Sequence, residues 1–82
     1  MKSAEDGVKK IVAKIFEVDT KDITRDTRFV EDLLAKSLQI IEMIAMMEDE
    51  FNIEVDDSRA RGNRTVGQAI DYVEELLKVK AL

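Results

Sequence analysis

The stretch of sequence that decides the fold is SLQIIEMIAMMEDEF, residues 37–51. Its apolar residues recur at the spacing of one face of an α-helix. They form a stripe that we expect to face the core: Ile40, Met43, Ile44, Met47 and Phe51. The segment therefore predicts an amphipathic helix that begins near Ser37.

A second set of apolar residues lies on a neighbouring face of the same helix, among acids. This face consists of Leu38, Ile41 and Ala45 with Glu42, Glu48 and Asp49 around them. Because a helix in so small a domain seldom buries two faces, we expect this one to be at least partly exposed. An apolar surface rimmed by acids suits a partner with a basic docking surface. The alternative is that Leu38 and Ile41 pack under the preceding loop.

Two further amphipathic helices flank this segment. The apolar patterns predict one helix over residues 3–18 and another over residues 66–79, the second capped by Thr65. Residues 56–64 are expected to hold a short helix that ends at Gly62-Asn63 in left-handed geometry.

The connections between the helices carry few signals of regular structure. Residues 19–36 should form an ordered loop held to the core by Ile23, Phe29 and Leu33. The segment Ile53-Glu54-Val55 alternates like a strand but has no second strand to pair with, so we interpret it as an extended linker. The predicted fold class is all-α, an irregular four-helix bundle of three main helices and one short helix.

Composition excludes several classes of function. The 82 residues make one domain, 1–82, and contain neither His nor Cys. The chain thus lacks the usual general base and thiolate, and disulfide scaffolds and zinc modules are ruled out. No apolar stretch reaches the roughly 20 residues that span a bilayer, and the first residues hold no apolar signal core. We expect a soluble, cytoplasmic monomer that is not an enzyme and holds no metal.

The net charge is −5, and the acidic side chains are concentrated in the middle of the chain. Residues 31–57 hold nine acidic side chains and one basic one, whereas residues 58–82 hold three acidic and five basic. Nucleic acid is an unsuitable partner because phosphate binding needs a basic surface. A calcium loop among the acids of residues 19–26 is disfavoured because Lys21 takes a ligand position and the loop glycine is absent.

Ser37 is interpreted as an attachment point. It is a lone hydroxyl between the turn Glu31-Asp32-Leu33-Leu34-Ala35-Lys36 and the acidic helix. Since the chain has no His to act as a general base and no Cys to supply a thiolate, we expect any covalent chemistry at this hydroxyl to be done by a partner enzyme. The purely structural interpretation is that Ser37 is the N-cap of the helix, worth about 1 kcal/mol.

Taken together, several segments of the chain resemble the acyl carrier protein family. The resemblance rests on FVEDL at residues 29–33, Ser37-Leu38 at the start of the acidic helix, EDEFNIEV at residues 48–55, and Thr65-Val66 leading to AIDYV at residues 69–73. In that family a transferase attaches 4′-phosphopantetheine to the serine of an Asp-Ser-Leu motif, and acyl groups are held as thioesters on the terminal thiol. The resemblance implies that Ser37 carries this arm.

The implied partners are a phosphopantetheinyl transferase and the acyl-transfer or synthase enzymes of fatty-acid or related lipid or polyketide synthesis. A phosphodiester on Ser37 would lie beside the unpaired N–H groups and positive dipole end of the helix, which favour an anion. From the acid-rimmed face of the helix, the residues that we expect to bind partners are Lys36, Leu38, Ile41, Glu42, Ala45, Glu48 and Asp49. Ile40, Met43, Ile44 and Met47 are candidates to line an acyl-accommodating core, or simply to pack it.

The chain departs from the family pattern at three places. Lys36 stands where the family usually has Asp, Leu34 where it usually has Gly, and Arg59, Arg61 and Arg64 make a commonly acidic segment basic. These differences indicate a specialised member. Two alternatives stay open: an unmodified, degenerate carrier that acts as a protein-interaction module, and a peptidyl carrier domain, whose usual Gly-Gly-x-Ser-Leu loop is missing here.

Overall fold

The computed structural model describes residues 3–81 as a bundle of helices joined by loops. The helices are α1 (Ala4–Phe16), α2 (Ser37–Phe51), α3 (Asp57–Arg61) and α4 (Val66–Ala81), with a 3₁₀ turn at Thr20–Asp22. The only β-type pairing within residues 3–81 is an isolated bridge between Arg28 and Thr65. The predicted all-α class, with three main helices and one short one, is confirmed. No helix in residues 3–81 has the length and apolar character needed to cross a membrane.

Side chains and left-handed residues set the ends of the long helices. Ser3 caps α1, its Oγ accepting from the backbone N–H of Asp6 at 3.0 Å. Thr65 caps α4 as predicted, because its Oγ1 accepts from the N–H of Gln68 while Gln68 Oε1 accepts from the N–H of Thr65, both at 3.2 Å. Glu17 and Asn52 end α1 and α2 with φ of 55° and 52°.

The short helix α3 ends differently from the prediction. Gly62 has a φ of −76°, so the expected left-handed geometry at Gly62-Asn63 is wrong. The N–H of Gly62 donates to the carbonyl of Arg59, and the N–H of Asn63 donates to that of Ala60, each at 3.1 Å. These 3₁₀-type bonds tighten the last turn and satisfy its carbonyls without a left-handed residue.

The core lies between α1, α2 and α4. Its fully enclosed side chains are Val8 and Val12 of α1 and Val66, Ile70 and Val73 of α4. Met43 and Met47 of α2 are buried as predicted. Ile23 and Phe29 are also buried and hold the long connection to the core, whereas Leu33 is half-buried. Gly7 permits close packing of α1 on α2, because a Cβ there would stand 2.5 Å from the ring of Phe51.

The connection before α2 is bonded to the segment that leads into α4. Phe29 N–H donates to the carbonyl of Arg64 at 3.0 Å, and Val66 N–H donates to that of Thr27 at 2.9 Å. Closer to α2, the N–H of Ala35 donates back to the carbonyl of Phe29 at 2.9 Å, which closes the loop on itself. This network positions the start of α2 beside α3 and the first turn of α4.

Candidate functional site

Ser37 is the first residue within α2 and not its cap. The N-cap is Lys36, whose backbone is extended (φ −103°, ψ 157°). The interpretation of Ser37 as N-cap is therefore wrong by one position. The Ser37 side chain is exposed, and its hydroxyl makes no hydrogen bond to any of residues 3–81. It is free for chemistry.

The start of α2 is open toward an anion. Gln39 Oε1 accepts from the backbone N–H of Lys36 at 2.9 Å, but this bond satisfies a group outside the helix. The ammonium of Lys36 has no lone pair with which to accept from the first-turn N–H groups. Those N–H groups and the positive end of the helix dipole therefore remain available beside Ser37.

A groove of about 470 Å³ opens next to Ser37, between the preceding loop, α2 and α3. Apolar side chains of Phe29, Ile40 and Met43 form part of its wall. Its polar lining comprises Glu31, Lys36, Ser37, Arg61, Asn63 and Arg64. Of the four residues expected to line an acyl-accommodating core, only Ile40 and Met43 reach this groove, while Ile44 and Met47 lie in packed surroundings.

The three arginines that distinguish this chain have different surroundings. Arg59 Nη1 pairs with Glu75 Oε2 at 2.8 Å, and its guanidinium lies 4.7 Å from the centre of the Tyr72 ring. The hydrogen bond from Arg59 holds the pKa of Glu75 below its ordinary value. Arg61 Nε pairs with Asp57 Oδ2 at 2.9 Å. The side chain of Arg64, like that of Lys36, has no ion pair or hydrogen bond within residues 3–81.

Two cationic side chains without an ion pair in residues 3–81, Lys36 and Arg64, thus line the groove at Ser37. The residues present fit a phosphopantetheine arm at this position, since a free serine hydroxyl, open helix N–H groups and cationic side chains together suit a phosphodiester.

The predicted partner face is exposed. Leu38 and Ile41 are 67% and 48% exposed, so the alternative in which they pack under the loop is wrong. Ala45, Glu42, Asp49 and Lys36 are exposed as well. Glu48 differs from the rest because its Oε2 accepts from the backbone N–H of Val55 at 3.1 Å, holding the linker after α2.

Sequence reasoning missed the exposed apolar side chains of the loop. Leu34 is 75% exposed and has a φ of 53°, and Val30 is 66% exposed. A left-handed backbone costs a leucine about 1–2 kcal/mol. The left-handed backbone could have been predicted in part, because a glycine usually stands at this position in the similar family. No sequence pattern indicated that the leucine side chain is exposed.

Comparison with known proteins agrees with this geometry. The profile of the phosphopantetheine attachment site family matches residues 6–73, which include Ser37. An acyl carrier protein of Lactobacillus acidophilus is 42% identical over 67 residues, covering 82% of this chain and 84% of that protein. An acyl carrier protein of a Sulfurovum species is 38% identical over 71 residues, covering 87% of this chain and 95% of that protein. The chain therefore belongs to the acyl carrier protein family, whose members bear a phosphopantetheine attachment site.

Proposed function

We propose that Ser37 is the residue that receives the phosphopantetheine arm, and that the chain presents acyl groups to enzymes of fatty-acid or related lipid or polyketide synthesis. One observation carries the proposal: an exposed hydroxyl with no hydrogen bond to the described residues 3–81 stands at the first residue of α2, beside a groove lined by the cationic side chains of Lys36 and Arg64. When bound, the arm supplies a terminal thiol on which acyl groups are held as thioesters.

The chemistry at Ser37 needs a partner. In the loading step Ser37 Oγ forms a P–O bond to the phosphopantetheinyl group of coenzyme A, and the phosphoanhydride bond of the donor breaks, with the electron pair going to the leaving nucleotide. We assign the base that takes the hydroxyl proton to the transferase, because this chain contains no His and no carboxylate of residues 3–81 accepts a hydrogen bond from the Ser37 hydroxyl.

Residues around Ser37 would stabilise the negative charge that the loading step adds. The first-turn N–H groups of α2 favour an anion through hydrogen bonding and the helix dipole. Lys36 and Arg64 line the adjacent groove with free cationic groups, and Glu31, also in the groove lining, opposes them in part. The apolar wall at Phe29, Ile40 and Met43 would offer apolar surface to an acyl group that reached the groove.

Partner enzymes would dock on the exposed side of α2. Leu38, Ile41 and Ala45 present apolar surface, and Glu42 and Asp49 present acids that suit a basic docking surface. Glu48 is less available to a partner enzyme because its carboxylate already accepts a hydrogen bond from the backbone N–H of Val55.

A second function is favoured by Lys36. Its ammonium directly precedes the proposed attachment residue, where a transferase adapted to Asp would meet the opposite charge. If that charge prevents loading by every transferase, the chain would act as an unmodified interaction module. Incubation with coenzyme A and each transferase of the source organism separates the two. A rise in intact mass by one phosphopantetheinyl group supports the carrier function, whereas an unchanged mass with every transferase supports the interaction module.

A further inference from the structure

Leu34 combines two features that neither core packing nor backbone preference explains. Its φ of 53° lies in the left-handed region, which disfavours a side chain larger than that of glycine. Its side chain is nevertheless 75% exposed, so the leucine gains little from the fold in return. A residue held in a disfavoured conformation with its apolar group in water is a candidate for function.

Leu34 is accompanied by other exposed apolar side chains. Val30 and Leu38 are 66% and 67% exposed, and all three residues fall within residues 30–38. The N–H of Leu34 donates to the carbonyl of Val30 at 3.1 Å, so these two residues close one turn. We refer to Val30, Leu34 and Leu38 as the loop patch. The three residues are close in sequence on either side of Ser37, and exposed apolar side chains close together are candidates for an interaction surface.

The position of the loop patch identifies its occupant. Leu34 precedes Ser37 by three residues and Leu38 follows it directly. An enzyme that brings a phosphorus atom within bonding distance of Ser37 Oγ must cover the surface immediately around it. The patch is therefore continuous with the contact that loading requires. Lys36 lies between Leu34 and Ser37, and its ammonium has no ion pair with any of residues 3–81, so an anionic group of the enzyme would suit it in such a contact.

We infer that Leu34 is a specificity-determining anchor for the transferase that loads Ser37. The inference rests on the proposed function of Ser37. The fitting enzyme has an apolar pocket that receives Leu34 and a carboxylate that faces Lys36. A transferase adapted to glycine at position 34 and aspartate at position 36 lacks both the pocket and the carboxylate. Leu34 and Lys36 therefore both favour the same kind of transferase.

Loading kinetics with purified variants test this inference. The variants are Leu34→Asn, which tolerates the left-handed backbone but removes the apolar side chain, and Leu34→Met, which keeps apolar volume on the same backbone. Val79→Gln is the matched control, because Val79 is a similarly exposed apolar residue, 62% exposed, on α4. Initial rates are measured by intact mass over a range of carrier concentrations, with coenzyme A and the transferase of the source organism that loads the wild type fastest.

We expect Leu34→Asn to raise KM about tenfold, equivalent to about 1.4 kcal/mol of lost binding, with kcat nearly unchanged. Leu34→Met and Val79→Gln should load like the wild type. A Leu34→Asn variant that loads normally would overturn the inference while leaving Ser37 as the attachment site. So would a Leu34→Met variant as slow as Leu34→Asn, because methionine keeps the apolar volume and shares the backbone preference of leucine, and loading would then not depend on an apolar group at residue 34.

Other occupants of the loop patch give different results. If Leu34→Asn abolishes self-association or binding to anionic lipid vesicles but loads normally, the patch serves a second copy or a membrane surface and the inference fails. If the wild type is loaded by no transferase at all, the proposed function fails together with the inference, and the intact mass shows this before any variant is compared.

Discussion

Asp32 holds the turn before Ser37 closed through three hydrogen bonds from one residue, Arg28. Asp32 Oδ2 accepts from the backbone N–H of Arg28 at 2.8 Å and from its Nε at 3.2 Å, while Oδ1 accepts from Nη2 at 3.1 Å. In return the N–H of Asp32 donates to the carbonyl of Arg28 at 3.1 Å. The pair therefore shapes the loop that carries Val30 and Leu34 to the start of α2.

The Arg28–Asp32 pair should make stability depend on pH in the acid range. The side-chain and backbone hydrogen bonds from Arg28 hold the pKa of Asp32 below its ordinary value of 3.8. A depressed carboxyl pKa contributes stability that is present above the unfolded-state pKa and is lost as pH falls through the folded-state value. Urea unfolding should show Asp32→Asn less stable than the wild type at pH 7, with the difference shrinking below pH 3.8.

Glu31→Gln is the matched control for that prediction, because Glu31 is an exposed neighbour whose side chain bonds to none of residues 3–81. A difference between Asp32→Asn and the wild type that is the same at both pH values would show that the carboxylate charge plays no role in closing the turn.

Replacing Leu34 with glycine should stabilise the protein. The left-handed backbone costs leucine about 1–2 kcal/mol, while glycine adds roughly 0.5–1 kcal/mol of unfolded-state entropy. The strain is the larger effect, so we expect Leu34→Gly to raise the free energy of unfolding by about 0.5–1 kcal/mol. Leu34→Ala is the control because it keeps a Cβ and with it the strain. A Leu34→Gly variant no more stable than Leu34→Ala would show that the loop accommodates a left-handed leucine without cost.

Replacing Lys36 with aspartate should affect both loading and stability. Reversing one exposed charge pair changes the contact by roughly 1–2 kcal/mol, so a transferase adapted to Asp should load Lys36→Asp about fivefold to thirtyfold faster than the wild type. Because Lys36 is the N-cap, aspartate there should also stabilise α2 by about 1 kcal/mol, completing a capping box with Gln39.

Lys36→Asn separates these two effects, since asparagine caps a helix without adding a negative charge. It should match Lys36→Asp in thermal melting and fall between the wild type and Lys36→Asp in loading rate. Equal loading of all three proteins would mean that residue 36 does not contact the transferase.

The helix stripe could be predicted from sequence because its period is a local property. Met43 and Met47 repeat at helical spacing and are buried as that spacing predicts. The backbone of Leu34 could not be predicted in the same way, because it depends on the closure of Ala35 onto Phe29. The ion pair between Arg59 and Glu75 could not be predicted either, because Arg59 lies on α3 and Glu75 on α4, and the two meet only in the folded structure.

The position of Ser37 shows that residue preferences locate the start of a helix only to within about one residue. Lysine is a poor capping residue, so propensity favoured the serine as N-cap by one position. The structure instead begins α2 at Ser37 and leaves its hydroxyl unused. The attachment interpretation rested on the family resemblance and on a serine at the helix start, and the shift by one position changes neither. The stability of about 1 kcal/mol assigned to Ser37 as N-cap no longer applies.

The acidic face of α2 should control association with partner enzymes. Glu42→Lys removes an exposed acid beside Leu38 and Ile41, so it should slow association with a basic enzyme and leave the circular dichroism spectrum unchanged. Glu74→Lys, an equivalent charge reversal at an exposed position of α4, is the control and should have a smaller effect. Glu48→Lys is a poor test because it also breaks the bond to Val55. Association rates that respond equally to Glu42→Lys and Glu74→Lys would locate the interface elsewhere.

Ser37→Ala is expected to leave stability almost unchanged, because the Ser37 hydroxyl makes no hydrogen bond within residues 3–81. The variant is therefore a clean probe of attachment. Ser58→Ala, at another exposed serine in α3, is its matched control.

The most direct measurement is the intact mass of the wild type, Ser37→Ala and Ser58→Ala after incubation with coenzyme A and the phosphopantetheinyl transferases of the source organism. The wild type and Ser58→Ala should each gain one phosphopantetheinyl group, and Ser37→Ala should gain none while keeping a normal melting temperature. A wild type that is never modified, or a Ser37→Ala variant that still is, would contradict the assignment of Ser37 as the attachment site.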